Sequence, residues 1–218
     1  MLIDKDSTQD EMAERRLKVI VPVLPYISNN TDFDVLRVHP NVDLQFVQMG
    51  DYIPKVDLLI LPSSTNVTSD IQSLKDYGWG RALTNQLRHG GKVIGIGSGF
   101  QMLGNTIYDP YGLGGSAGSQ DGFGWLMVET TLEKAKPLKP VAGKLRFIDV
   151  EVTGDEAHIG VSIGPALSQP VLMIVDGESL RPEGAMSVDN QVAGTYVHGL
   201  FDSPEACTAW LKWAGLAP

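Results

Sequence analysis

Cysteine is almost absent. Cys207 is the one cysteine in 218 residues, so no disulfide can form within the chain, and no Cys/His cluster has the spacing of a metal site. That usage fits a reducing compartment, and we expect a cytoplasmic protein that needs no metal and no other cofactor. Positive charge is scarce too, with 17 Lys and Arg against 26 Asp and Glu and a formal charge of −9. Nucleic acid and anionic membranes attract proteins through a surplus of Lys and Arg. Neither is expected as a partner. Long apolar runs are also missing, since none approaches the roughly 20 residues that cross a bilayer. The opening stretch MLIDKDSTQDEMAERR lacks the apolar centre of a signal peptide.

What is present suits an ordinary folded domain. A hydrophobic content of 43% is enough for a sizeable core. Residues 1–16 form a polar lead-in or interdomain linker, and residues 17–218 a single domain without internal repeats. LKVIVPVL at 17–24, VDLQFVQM at 42–49, VDLLILP at 56–62 and KVIGI at 92–96 are apolar runs of strand length. Between the last two, TSDIQSLKDYGWGRALTNQLRHGG predicts helix, capped at residues 68–70 and closed by Gly90 and Gly91. Strands alternating with helices predict an α/β fold, a doubly wound and mostly parallel sheet.

Past residue 109 the pattern changes. DPYGLGGSAGSQDGFG predicts a surface loop, and the short runs that follow predict a mixed or antiparallel C-terminal extension. SPEACTAWLKWAGL predicts a last helix with Ser203 as cap and Pro204 in its first turn. Parallel sheets bind ligands at the carboxyl ends of their strands, which points to the turns at 25–34, 62–66 and 97–99.

GIGSGFQML, at 95–103, joins a buried strand to a helix through spaced glycines, a setting in which several folds hold a nucleophile. At the apex stands Gly97, which takes a positive φ without strain. Ser98 does not replace a nucleophile there, because one residue further on the side chain leaves the turn in another direction. His198, in GTYVHGLF, fits two roles: a packed histidine at a strand end, or a general base at a cleft rim with Gly199 leaving room for substrate. His158, in GDEAHIG, has a similar setting, with Glu156 two residues earlier on the same strand face. His39 and His89 lie in turn and helix-end contexts and are expected to be solvated. Cys207, beside Ala206, Ala209 and Trp210, is expected to be a small core residue rather than a nucleophile.

Five stretches in order, VPVLPYISNNTDFDVLRVHPNVDLQFV, DLLILPSSTNVTSDIQSLKDYGWGRAL, GIGSGFQMLGNTIYDPYGLGG, GDEAHIG and EGAMSVDNQVAGTYVHGLFD, resemble the glutamine amidotransferase domain of cobyric acid synthase. This is the triad-type branch that also supplies cobyrinate diamide synthase. The resemblance runs from about residue 17 to the end, and LIDKDS resembles the linker to a preceding synthetase domain, so the chain is expected to be the C-terminal half of a longer protein. It implies a class I amidotransferase-like, flavodoxin-like domain that hydrolyses glutamine. Ammonia then passes to an ATP-dependent synthetase domain or subunit that amidates corrin carboxylates. In that family a cysteine thiolate attacks the carboxamide, a histidine shuttles protons and backbone N–H groups hold the oxyanion.

The resemblance carries the proton-shuttling role to His198 and a substrate-positioning role to Gln101. Where the family reads Gly-Ile-Cys-Gly-Gly-Tyr-Gln, the cysteine is replaced by Gly97 and the next glycine, whose N–H faces the oxyanion, by Ser98. The second oxyanion loop, Leu-Pro-Gly-Ser-Lys, has become Leu61-Pro62-Ser63-Ser64-Thr65. In Gly-Tyr-Glu-Ile-His-Met-Gly the tyrosine has become Asp155, while Glu156 and His158 remain as supporting residues. The expectation is a site without glutaminase activity, its substrate contacts drawn from Gln101, Ser98, Ser63 and Ser64. The alternative is a binding or scaffolding module whose cleft takes glutamine, a corrinoid or a protein partner.

Overall fold

The computed structural model describes residues 15–134 and 138–217; all but the last two residues of the 1–16 lead-in therefore lie outside the described residues. The Val- and Ile-rich segment after Arg16 forms β1 (Leu17–Pro22), and its neighbours are β2 (Val42–Val47) and β3 (Leu58–Leu61), both parallel to it. β4 (Lys92–Ile96) pairs in parallel with β3, and the strand Val192–Thr195 in parallel with β4. The two-residue strand Ala185–Met186 closes this six-stranded sheet antiparallel.

The pleat sends alternate residues to opposite faces. Val19, Val21, Leu58, Ile60, Ile94 and Ile96 join one core cluster with Leu36 of α1 (Asp34–Val38). Ile20, Leu59, Leu61 and Val93 join the other, with Ile71 and Leu74 of α2 (Val67–Asp76) and Trp79 and Leu83 of α3 (Trp79–Arg88). Next in the chain is the six-residue α4 (Ser98–Leu103), entirely buried. The last helix, α5 (Pro204–Trp213), puts Cys207, Trp210 and Leu211 into the first cluster.

Two smaller sheets flank this core. One joins Thr106–Asp109, Gly118–Asp121, Glu129–Thr131 and Val161–Ile163 through one parallel and two antiparallel pairings. The other is antiparallel and runs Ser179–Glu183, Leu172–Asp176, Lys139–Leu145, Glu151–Glu156 and Val197–His198. The fold is therefore α/β with mixed sheets.

Several local expectations need correction. The helical stretch after residue 67 is two helices, broken at Gly78, which has φ 83° and cannot continue a right-handed helix in that conformation. Its cap is Asn66, whose side chain accepts from the Ser69 N–H; residues 68–70 lie inside the first turn. The glycine-rich stretch is not loop throughout. Gly118–Asp121 pairs with Thr106–Asp109, and the buried Asp109 accepts from the N–H groups of Leu113 and Gly114 to fold the turn between. Ser203 does cap α5, accepting from the Ala206 N–H, with Pro204 in the first turn. No helix among the described residues is long and apolar enough to cross a membrane.

Candidate functional site

Three loops meet at the carboxyl ends of β1, β3 and β4. At the end of β4, Gly97 has φ 59° and ψ −123°, a conformation that strains any residue with a side chain. Its N–H donates to Thr195 O at 2.8 Å, joining the turn to the neighbouring strand. Glycine is needed on both sides of it. A Cβ on Gly95 would lie 2.5 Å from Gly99 O, and one on Gly99 would run into Leu61 O. Only without side chains can α4 start this close to β3 and β4.

A Cβ on Gly97 would point between two side chains. Ser63 Oγ would lie 2.5 Å away, Ser63 Cβ 2.9 Å and His198 Cε1 3.2 Å.

The loop after β3 supplies Ser63 and Ser64. Ser98 Oγ accepts the Ser64 N–H at 2.6 Å and donates to Ser64 O at 3.1 Å. In return the Ser98 N–H points to Ser63 Oγ at 3.4 Å. Each serine side chain thus occupies a backbone donor of the opposite loop. Ser64 Oγ donates to Asp70 Oδ2 at 2.6 Å, and the Tyr26 N–H donates to the same oxygen at 3.3 Å. Asp70 is fully buried. Burial raises its carboxyl above the usual range, against the pull of those two hydrogen bonds.

The loop after β1 supplies two residues that sequence reasoning did not assign. Asp32, 5% exposed, accepts from His198 Nδ1 at 2.7 Å and from the Gly199 N–H at 3.0 Å. This pairing puts the His198 proton on Nδ1, because an ionised carboxylate only accepts. Asn29, in a left-handed conformation with φ 52°, places Nδ2 3.2 Å from His198 Nε2. Both lie in ISNNTDFD, within the turn at 25–34 that the strand order marks as a ligand-binding end. Two short polar side chains at that end were the available signal. Their partner, His198, is 166 residues away from Asp32 along the chain. Asp202 borders the same site, and its carboxyl is raised by burial and by Asp32, Asp34 and Asp155.

The remaining expected residues lie to the side. Gln101 is 1% exposed in α4, and Nε2 donates to Ile159 O at 2.8 Å and to Tyr196 Oη at 3.4 Å. His158 stacks on Tyr196 at 4.0 Å between ring centroids and donates from Nδ1 to Gly160 O. Glu156 does not share a strand face with His158, because its strand ends at Glu156. Its carboxylate is paired with Arg181. Gly97, Ser63, Ser64, Ser98 and His198 are therefore brought together, Gln101 and His158 meet through Tyr196, and Glu156 turns to a different partner. Cys207 is 2% exposed in α5, where burial pushes its thiol up to about 11. Among the described residues no group of His, Cys, Asp and Glu is placed to hold a metal ion.

The model of the CobB/CobQ-like glutamine amidotransferase domain matches residues 18–206. Among solved structures the chain is similar to PurLQS from Thermotoga maritima, at 15% identity and a TM-score of 0.65, over 91% of this chain and 99% of that one. It is also similar to a glutamine amidotransferase at 15% identity and a TM-score of 0.64, with the same coverage of 91% and 99%. A putative GMP synthase component from Thermoplasma acidophilum shares 17% identity at a TM-score of 0.57, over 93% and 94% of the two chains. At such identities the likeness concerns the fold.

Proposed function

The chain belongs to the CobB/CobQ-like glutamine amidotransferase domain family, and from that premise we propose a domain of cobyric acid synthase type whose glutaminase site is silent. In this reading the central sheet is the doubly wound sheet of class I amidotransferases, and Gly97 stands where the family holds its nucleophilic cysteine. The partner is an ATP-dependent synthetase domain or subunit, in the cytoplasm, that amidates a corrinoid.

One observation carries the reading: Ser63 fills the space that a side chain on residue 97 would need, at 2.5 Å from the position of its Cβ. The Asp32–His198 pair remains, but it faces a backbone with no thiol to deprotonate. The donors that would serve an oxyanion are also engaged, since the Ser64 N–H is bound by Ser98 Oγ and the Ser98 N–H points to Ser63 Oγ. Substrate must displace both contacts before it can be held there.

A glutaminase assay tests this on the native chain, on Gly97→Cys and on Ser63→Gly combined with Gly97→Cys. We expect no hydrolysis by the first two and detectable ammonia release by the third. Turnover by the native chain overturns the reading. The ordered, buried Asp32–His198 pair favours a second reading, in which the cleft binds a ligand without chemistry. A rise in melting temperature with glutamine, without ammonia release, supports it.

A further inference from the structure

Between Thr195 and Val197 the chain changes sheets. Val192–Thr195 lies parallel to β4 in the central sheet, while Val197–His198 lies antiparallel to Glu151–Glu156 in the five-stranded sheet. A residue at such a crossing loses its ladder partners, and its buried N–H needs another acceptor. Glu183 supplies it. Its Oε1 accepts the Tyr196 N–H at 2.7 Å, and its Oε2 accepts the Thr195 hydroxyl at 2.5 Å. The Thr195 hydroxyl oxygen in turn accepts the Val197 N–H at 3.0 Å. One carboxylate thus satisfies both amides of the crossing, one directly and one through threonine. On one side of this crossing, Thr195 O receives the Gly97 N–H; on the other stands His198.

We propose that Glu183 is a positioning residue of the site, whose ionised carboxylate sets the crossing at Thr195–Val197 and so fixes His198 relative to Gly97.

The ionisation matters because of how the hydrogens are shared. A carboxylate accepts from both Tyr196 and Thr195. Once protonated, Oε2 carries a hydrogen of its own, and the threonine hydroxyl must turn away or lose its partner. Glu183 is 5% exposed, and burial pushes its carboxyl up to about 7 against the two hydrogen bonds. The charged groups facing it are Glu156, which raises it further, and Arg181, which lowers it. Both states are therefore populated near neutral pH. The crossing is held differently in each.

The test follows the Glu183 side-chain carboxyl and the Tyr196 and Val197 amides by NMR in the labelled full chain from pH 5 to 9. In the native chain all three are expected to move in one shared step near pH 7. His198→Gln removes the imidazole and leaves Glu183 and the crossing in place, and the step must persist in it. Glu183→Gln must abolish the step at both amides and displace the His198 ring signals at a pH above it. Thr195→Ser and Thr195→Val provide a second route that leaves the carboxylate in place. The serine variant should keep the native Val197 amide shift and the valine variant should lose it, while Tyr196 stays near its native position. The proposal is overturned by a step that vanishes in His198→Gln, by one that survives in Glu183→Gln, or by serine and valine variants with the same Val197 shift.

Discussion

Ser63 and Gly97 compete for one space: the Cβ position of residue 97 lies 2.5 Å from Ser63 Oγ and 2.9 Å from Ser63 Cβ. The hydroxyl can rotate, but the Cβ is tied to the loop backbone. Gly97→Cys must therefore move the loop, besides placing a side chain at φ 59°. We expect Gly97→Cys to lower stability by about 2 kcal/mol from overpacking and backbone strain. Adding Ser63→Gly should recover part of that loss. Denaturant unfolding of the two single variants and the double variant measures the coupling, and simple additivity would separate the two positions.

Ser98→Ala removes the side chain that holds the Ser64 N–H. Loss of one buried hydrogen bond with its donor left behind costs about 1–3 kcal/mol. Hydrogen exchange at Ser64 should quicken while exchange in β1 and β3 stays near native rates, because the change is confined to the loop.

Asp32→Ala leaves His198 Nδ1 and the Gly199 N–H without their acceptor in a buried setting. The expected destabilisation is on the order of 3 kcal/mol, larger than for most single changes. Asp32→Asn keeps an acceptor for one of the two donors and should cost less. Nitrogen shifts of the His198 ring report the tautomer, and Asp32→Ala should release the preference for a proton on Nδ1.

Stability should fall between about pH 4.5 and 7 through Glu183. Its carboxyl rises from 4.5 to about 7 on folding, so within that window the folded state binds more protons than the unfolded state. The contribution is full below 4.5 and is lost as pH rises through about 7. Its size is on the order of 3 kcal/mol, from about 1.4 kcal/mol for each pKa unit. Unfolding curves across the window should be flatter for Glu183→Gln than for the native chain.

Cys207 should resist thiol reagents at neutral pH. It is 2% exposed and its thiol is pushed up to about 11, so little thiolate exists to react. Labelling should follow global unfolding and accelerate with denaturant.

Much of the fold was legible in local pattern. β4 matches its apolar run to the residue, and β1, β2 and β3 lie inside theirs. The runs overshoot because a parallel strand ends where its partner ends: β1 stops at Pro22, which pairs with Val47 at the end of β2. The break at Gly78 was harder to see, since glycine within a helical pattern marks either a weak point or a stop, and only its φ decides.

By itself the sequence determined the α/β alternation, the glycine turn after β4 and the absence of a side chain at residue 97, because these depend on residue type and near neighbours. The tertiary structure alone decided that Asp32 would hold His198, that Ser63 would fill the space beside Gly97, and that Glu156 would turn to Arg181. Those relationships join residues on different loops and strands. Their distances are set by how the sheets pack, and no local periodicity records that.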